Sequence, residues 1–154
     1  MVAFLPALLI GIVAGLRAMT APAALSWAAF FGWLPLDETW LAFLGYRFSP
    51  WILTLLAVGE LIADQFPSIP SRKKLLPFAT RILVGGVSGA AVGAAAGSLP
   101  VGLAAGAAGA VLGTLGGAAA RSRLAAAFGR DRPAALLEDL MAIGGALLVV
   151  WLVS

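Results

Sequence analysis

The residues of this sequence that could do chemistry are a few polar side chains set within long apolar runs. They comprise one threonine and six ionisable residues: Arg17, Thr20, Glu60, Asp64, Arg81, Glu138 and Asp139. Charged groups inside a membrane cost several kcal/mol and usually mark a substrate or ion pathway. We therefore interpret these residues as the lining of a polar pathway, in which the carboxylates bind a proton or a cation and the arginines hold an anionic group.

Glu60 and Asp64 are the two carboxylates whose spacing brings them together. They are four residues apart, so a helix would carry both of them on one face. Glu60 lies near the middle of its predicted span, and it is the candidate for the group that binds and releases a proton.

Structural ion pairs are the alternative interpretation of the same residues. Arg17 would pair with Glu60, and Arg81 would pair with Asp64 or Glu138, so that the charges neutralise each other and fix the order of the helices. Most of these residues lie near predicted helix ends, where long side chains reach the interface and charges interact with the helix dipole. Both interpretations remain open for Glu60 and Arg17.

The composition indicates the kind of molecule that must position these side chains. Of the 154 residues, 62% are hydrophobic and 11% are charged, against about 25% charged residues in a soluble domain. We predict an all-α integral membrane protein that forms a single domain over residues 1–154. The sequence contains neither Cys nor His, which removes disulfides and the commonest metal ligand, so we expect no metal and no cofactor.

The apolar run over residues 2–34 is too long for one straight span. A single helix would measure about 50 Å, against a hydrocarbon core of roughly 30 Å. Arg17 and Pro22 interrupt the run, because Pro removes a backbone donor and Arg cannot face lipid. We predict two short segments over 2–16 and 22–34 joined by a polar elbow, with one long kinked helix as the alternative.

Four further apolar stretches complete the predicted bundle. Residues 35–49 form a loop or a short surface helix, with Trp33, Trp40 and Trp51 as an interfacial aromatic belt. The remaining spans cover 50–65, 77–97, 101–120 and 134–153. The chain is thus a compact bundle of five or six transmembrane segments, depending on whether residues 2–34 cross the membrane once or twice.

The spans 77–97 and 101–120 are rich in glycine and carry few polar side chains. We predict that they form a tight helical hairpin with its tip at Pro100, packed as a glycine zipper. The glycines assigned to helix packing are Gly85, Gly89, Gly93, Gly97, Gly109, Gly113 and Gly117. An interface between subunits, or a pore lining in a homo-oligomer, is the alternative role for this stripe.

Basic residues set the expected orientation in the membrane. The two basic loops, over 67–76 and 121–133, should be cytoplasmic, and the acidic loop over 35–49 should then be outside. The basic cluster Arg72, Lys73 and Lys74 is first an orientation signal and second a binding site for anionic lipid headgroups. No basic run is long enough to indicate nucleic-acid binding.

Several motifs resemble a known family over nearly the whole chain. They are GIVAGLRAMTAPAAL around Arg17, GELIADQFPSIPSR around Glu60, RILVGG from Arg81, and LEDL around Glu138. Together they resemble the small bacterial membrane proteins grouped as domain of unknown function 4126. The resemblance implies a multispan protein of the bacterial inner membrane and no established activity. It also implies a Lys after the Asp of the third span, where this sequence has Gln65.

Three functions are compatible with these observations. The leading one is a small inner-membrane transporter or channel-like protein that moves a small ion or an anionic solute along Arg17, Glu60 and Asp64. The second is a non-transporting scaffold or assembly partner for other membrane proteins or lipids. The third is a lipid-phosphate enzyme in which Glu60 and Asp64 hold magnesium. Sequence motifs for a nucleophile elbow, a phosphate-binding loop or a metal-binding histidine pair are absent, so we expect no enzyme.

Overall fold

A computed structural model describes residues 3–63 and 75–154, and within these ranges the chain is helical without any strand. Asp64 and the basic cluster at 72–74 therefore lie outside the described residues. The elements, in chain order, are α1 Phe4–Leu16, α2 Thr20–Phe30, a 3-10 helix Trp40–Gly45, α3 Ser49–Ala63, α4 Leu75–Ala95, α5 Leu99–Phe128 and α6 Asp131–Val153.

Three of these helices, α4, α5 and α6, are long and apolar enough to cross a membrane. Helices α1 and α3 are apolar but shorter, with 13 and 15 residues. The helical membrane protein expected from composition is thus supported at the level of its helices.

The N-terminal apolar run is broken within the predicted range, because α1 ends at Leu16 and α2 begins at Thr20. Pro22 was placed in the elbow and instead lies in the first turn of α2. Proline is tolerated there because the backbone N–H groups of a first turn have no partner within the helix. Helix α1 lies at the centre of the bundle, where Ala7, Ile10 and Ala14 are fully buried.

Helices α4 and α5 form the predicted hairpin, with glycines where the two backbones meet. A Cβ added to Gly93 would lie 2.7 Å from the Cα of Gly102, closer than real Cβ contacts allow. Gly85 and Gly89 approach Gly106 in the same way. These contacts require glycine because any side chain would push the helices apart.

The tip of this hairpin differs from the prediction. The turn contains Gly97 with a φ of +78°, and Ser98 donates its backbone N–H to the Gly93 carbonyl at 2.7 Å. Pro100 lies just beyond the turn, in the first turn of α5. Gly97 therefore serves the turn and not the packing of the helices, since a Cβ there would meet nothing within 4 Å.

The second half of the α5 stripe packs on a different helix from the first half. Gly109 and Gly113 face α1, where a Cβ added to either would lie 2.9 Å from a backbone atom of Ile12. Gly15 of α1 in turn faces Thr114 of α5. The α5 stripe thus joins α4 along its N-terminal part and α1 further along.

The predicted basic loop over 121–133 is wrong. Helix α5 continues to Phe128, and α6 begins at Asp131, so Arg121 and Arg123 lie on the last turns of α5. The alanine-rich sequence after Arg123 favours helix, and the helix ends only at Gly129, which adopts a left-handed conformation with φ +68°. Likewise, the described part of the other predicted loop, residues 75 and 76, already belongs to α4.

Candidate functional site

The candidate site lies at the break between α1 and α2, where three residues leave the helical path. Arg17 has an extended backbone, with φ −140° and ψ 108°. A helix break leaves carbonyl groups unpaired at the end of one helix and N–H groups unpaired at the start of the next. Within an apolar bundle, each of these groups needs a partner from elsewhere in the protein.

The carbonyl groups at the end of α1 accept hydrogen bonds from side chains of α4, of α5 and of the break itself. The Gly15 carbonyl accepts from Nη1 of Arg81 on α4 at 2.9 Å and from Oγ1 of Thr114 on α5 at 3.3 Å. The Leu16 carbonyl accepts from Nη1 of Arg17 at 3.3 Å. Two arginines at the negative end of the α1 dipole are electrostatically favourable.

The N–H groups at the start of α2 are held by one carboxylate, that of Glu60 on α3. Ala18 donates to Oε1 at 2.9 Å, and Met19 donates to Oε2 at 2.8 Å. Oε1 also lies 3.4 Å from Nη2 of Arg81. Glu60 therefore places negative charge at the positive end of the α2 dipole and connects α3 to the break.

Arg17 points to α6 and not to α3. Its side chain is fully buried, its Nε donates to Oδ1 of Asp139 at 2.6 Å, and its Nη2 contacts the same oxygen. Nη2 also lies 3.8 Å from Oε2 of Glu138. The predicted pair of Arg17 with Glu60 is wrong, because the central position of α1 puts α6 beside the break and leaves Glu60 to Arg81 and the α2 backbone.

A second arginine extends this network towards the surface. Nη1 of Arg121 lies 3.5 Å from Oε2 of Glu138, and its Nε donates to Oδ1 of Asp131 at 2.9 Å. Glu138 is thus shared between Arg17 and Arg121, and its pairing with Arg81 stays a prediction. The pairing of Arg81 with Asp64 lies outside the described residues.

The structure brings most of the predicted site residues to this break. Arg17, Glu60, Arg81, Glu138 and Asp139 are linked by the contacts above. Within the described ranges, Arg17, Arg81 and Arg121 contact Glu60, Glu138 and Asp139, and Asp131 pairs with Arg121 nearer the surface.

Thr20 also lies at this break, at the first residue of α2. It is 8% exposed, and its Oγ1 has no hydrogen-bond partner within the described part of the chain.

Two residues of the network were missed from the sequence. Thr114 and Arg121 are seven residues apart, which places both on the same face of a helix. That spacing could have indicated a shared role for the two residues, but only if α5 is predicted to continue past residue 120. The assumption of a loop at 121 removed Arg121 from consideration.

An apolar groove of about 220 Å³ lies between α1, α5 and α6. Gly113 and Gly117 of α5 line it, and Arg121 and Glu138 are its charged residues. The groove adjoins the network at Glu138, while its other walls are apolar.

No cluster of three metal-binding side chains occurs within residues 3–63 and 75–154. Because Asp64 lies outside those ranges, magnesium held by Glu60 and Asp64 stays a prediction. Lipid binding by Arg72, Lys73 and Lys74 stays one for the same reason.

Comparison with known proteins gives one match, to the model of a family described as Domain of unknown function (DUF4126), over residues 4–152. Neither the curated proteins nor the solved structures contain a match to the chain.

Proposed function

The chain belongs to the family described as Domain of unknown function (DUF4126), and on the basis of the site we propose that it is a small multispan membrane transporter. Its transport site would be the break between α1 and α2. The observation that carries the proposal is the convergence of Arg17, Arg81 and Glu60 on the backbone of that break. Many transporters bind solutes and ions at the ends of broken helices near the membrane midplane.

The arrangement of the break supports binding of opposite charges. The end of α1 presents carbonyl groups, which attract cations, and the start of α2 presents N–H groups, which attract anions. Both sets are now bound by side chains of the protein itself. A transported ion or solute would displace one of these side chains from the backbone groups. It would occupy the space that the side chain leaves, so no separate cavity is required.

We propose six membrane segments for the bundle, with α1 and α2 as two short ones. Helix α1 measures about 20 Å and α2 about 17 Å at 1.5 Å per residue, so neither alone spans a core of roughly 30 Å. The glycine contacts of α5 with α4 and α1 support a zipper at the centre of this bundle. The family resemblance supports a bacterial inner membrane as its location.

Water access to Glu60 tests the proposed function. Ala57 lies one turn before Glu60 and is 8% exposed, whereas Leu55 is 74% exposed on the outer side of α3. The native chain has no Cys, so Ala57→Cys would carry the sole thiol. We expect a membrane-impermeant thiol reagent to label Ala57→Cys from one side of the membrane, because a transport pathway admits water to Glu60.

Leu55→Cys is the matched control, on the same helix but facing the expected lipid. It should resist the reagent from both sides. Protection of Ala57→Cys from both sides, in membranes where an exposed cysteine at Asp37 is labelled, would contradict a transport pathway at Glu60.

A second candidate, a non-transporting assembly partner, is favoured by the mutual pairing of the buried charges. A network of ion pairs that excludes water can have a purely structural role, which is to fix the order of the helices. Under this alternative the break is structural, Ala57→Cys stays protected, and the protein copurifies with a stable membrane partner. Homo-oligomer formation remains a prediction under both candidates.

A further inference from the structure

We propose that the start of α2 is a binding site for a small carboxylate, and that the Glu60 side chain occupies this site until the ligand displaces it. This inference rests on the proposed function, because it names the substrate class of the same site.

The geometry around Glu60 is that of a carboxylate site. Its two oxygens accept separately from the N–H groups of Ala18 and Met19, at 2.9 and 2.8 Å. Nη2 of Arg81 approaches the same carboxylate at 3.4 Å. These three donors contact the carboxylate oxygens and not the rest of the Glu60 side chain. The carboxylate of a free solute could therefore accept the same three hydrogen bonds.

A buried hydroxyl at the same end of α2 indicates a further ligand position. Thr20 is 8% exposed, and its Oγ1 has no hydrogen-bond partner within residues 3–63 and 75–154. The Cβ of a helical residue tilts towards the N-terminus of the helix, so this hydroxyl lies on the side of the Ala18 and Met19 N–H groups. Glu60 is tethered to α3 and leaves Thr20 unpaired, whereas a free ligand with a second polar group can contact both.

The helix that carries Glu60 has the fewest buried residues of the described α-helices. Only Pro50 and Ala57 of α3 are buried, and the helix packs mainly against α2 and the 3-10 helix. Arg81 belongs to α4, which packs against both α1 and α5. Elements with few buried contacts open at the lowest free energy. Helix α2 packs also against α1, α4, α6 and the 3-10 helix. Movement of α3 alone would therefore remove the carboxylate and leave Arg81 and the N–H groups of Ala18 and Met19 in place.

Charge then selects the ligand. Removal of Glu60 takes one negative charge away from Arg81 and from the positive end of α2. An incoming carboxylate restores that charge, while a neutral solute or a cation does not. The site should therefore prefer a carboxylate to an uncharged molecule of the same size.

The test removes the internal carboxylate and supplies an external one. Full-length Glu60→Ala protein in detergent would be melted in increasing acetate, with chloride replacing acetate at constant ionic strength. We expect acetate to raise its melting temperature saturably, by about 5 °C at a hundredfold excess over the dissociation constant. Acetamide, which is uncharged, is the matched ligand control and should have no effect.

A second measurement keeps Glu60 and does not depend on the folding of Glu60→Ala. In the Ala57→Cys protein, saturating acetate should raise the rate of labelling by a water-soluble thiol reagent severalfold over chloride, because displaced Glu60 loosens α3. Equal melting of Glu60→Ala in acetate and chloride would overturn the proposal. If Glu60→Ala does not fold, equal labelling of Ala57→Cys in the two salts would overturn it.

Failure of this inference can be told apart from failure of the proposed function. If acetate stabilises Glu60→Ala but Ala57→Cys in membranes is protected from both sides, the protein has a carboxylate site and does not transport. Labelling of Ala57→Cys in membranes without any acetate effect would retain the pathway and overturn the carboxylate as its substrate.

Discussion

Arg17 and Asp139 form a deeply buried ion pair between the α1–α2 break and α6. The Arg17 side chain is 0% exposed, and that of Asp139 is 13% exposed. Removal of Asp139 leaves the buried Arg17 guanidinium with Glu138, which lies 3.8 Å away and is shared with Arg121. Loss of one partner of a buried ion pair typically costs about 3–5 kcal/mol. Replacement of both partners by apolar residues removes that penalty.

We therefore expect Asp139→Ala to be more damaging than the double substitution Arg17→Met with Asp139→Leu. The measurement is unfolding in detergent, in which Asp139→Ala should lose about 3–5 kcal/mol and the double variant clearly less. Asp37→Ala, in the exposed loop between α2 and the 3-10 helix, is the control and should unfold like the wild type. A double variant as unstable as Asp139→Ala would show that the loss of stability does not come from the carboxylate that Arg17 loses.

The close packing of α4 against α5 depends on glycines at positions where no side chain fits. A Cβ at Gly93 would lie 2.7 Å from Gly102 Cα, whereas a Cβ at Gly144 of α6 would meet nothing within 4 Å. Gly93 lies in the last turn of α4 and Gly144 in the middle of α6, so the gain in helix propensity from alanine is at most about 1 kcal/mol at either position. The two substitutions thus differ mainly in steric overlap.

Gly93→Ala should destabilise the protein by about 1–3 kcal/mol, while Gly144→Ala should be neutral or stabilise it by up to about 1 kcal/mol. Thermal unfolding of both variants in the same detergent measures the difference. Equal stability of the two variants would mean that α4 and α5 do not approach as closely as described.

The elements show how far sequence reasoning reached. Periodic glycines and long apolar runs are local signals, and they predicted the α4–α5 hairpin and the break after Arg17. The partner of Gly109 and Gly113 is α1, which is distant in sequence, and no local pattern specifies that contact. For the same reason, the sequence predicts a pair of Arg17 with Glu60, whereas the partner of Arg17 is Asp139. Residue spacing shows which side chains share one face of a helix, but it does not show which other helix packs on that face.

At the scale of the whole molecule, α3, α4 and α5 connect the loop at Asp37 to the turn at Arg130. Three crossings would put these two positions on opposite sides of the membrane. Single cysteines at Asp37 and Arg130 should therefore be labelled by an impermeant reagent from opposite sides, with Arg130 cytoplasmic. Labelling of both positions from the same side would contradict three crossings by these helices.

Transport itself tests the central claim that the α1–α2 break is a transport site for a small carboxylate. The measurement is uptake of radiolabelled lactate, a small carboxylate, into liposomes containing the wild type, Glu60→Gln or Asp37→Asn. We predict uptake above that of protein-free liposomes for the wild type and Asp37→Asn. Glu60→Gln should lose at least tenfold, which corresponds to about 1.4 kcal/mol, because the uncharged Gln no longer displaces bound lactate and release from the site slows. Wild-type uptake that Glu60→Gln leaves unchanged, or wild-type uptake no greater than that of empty liposomes, would contradict the claim.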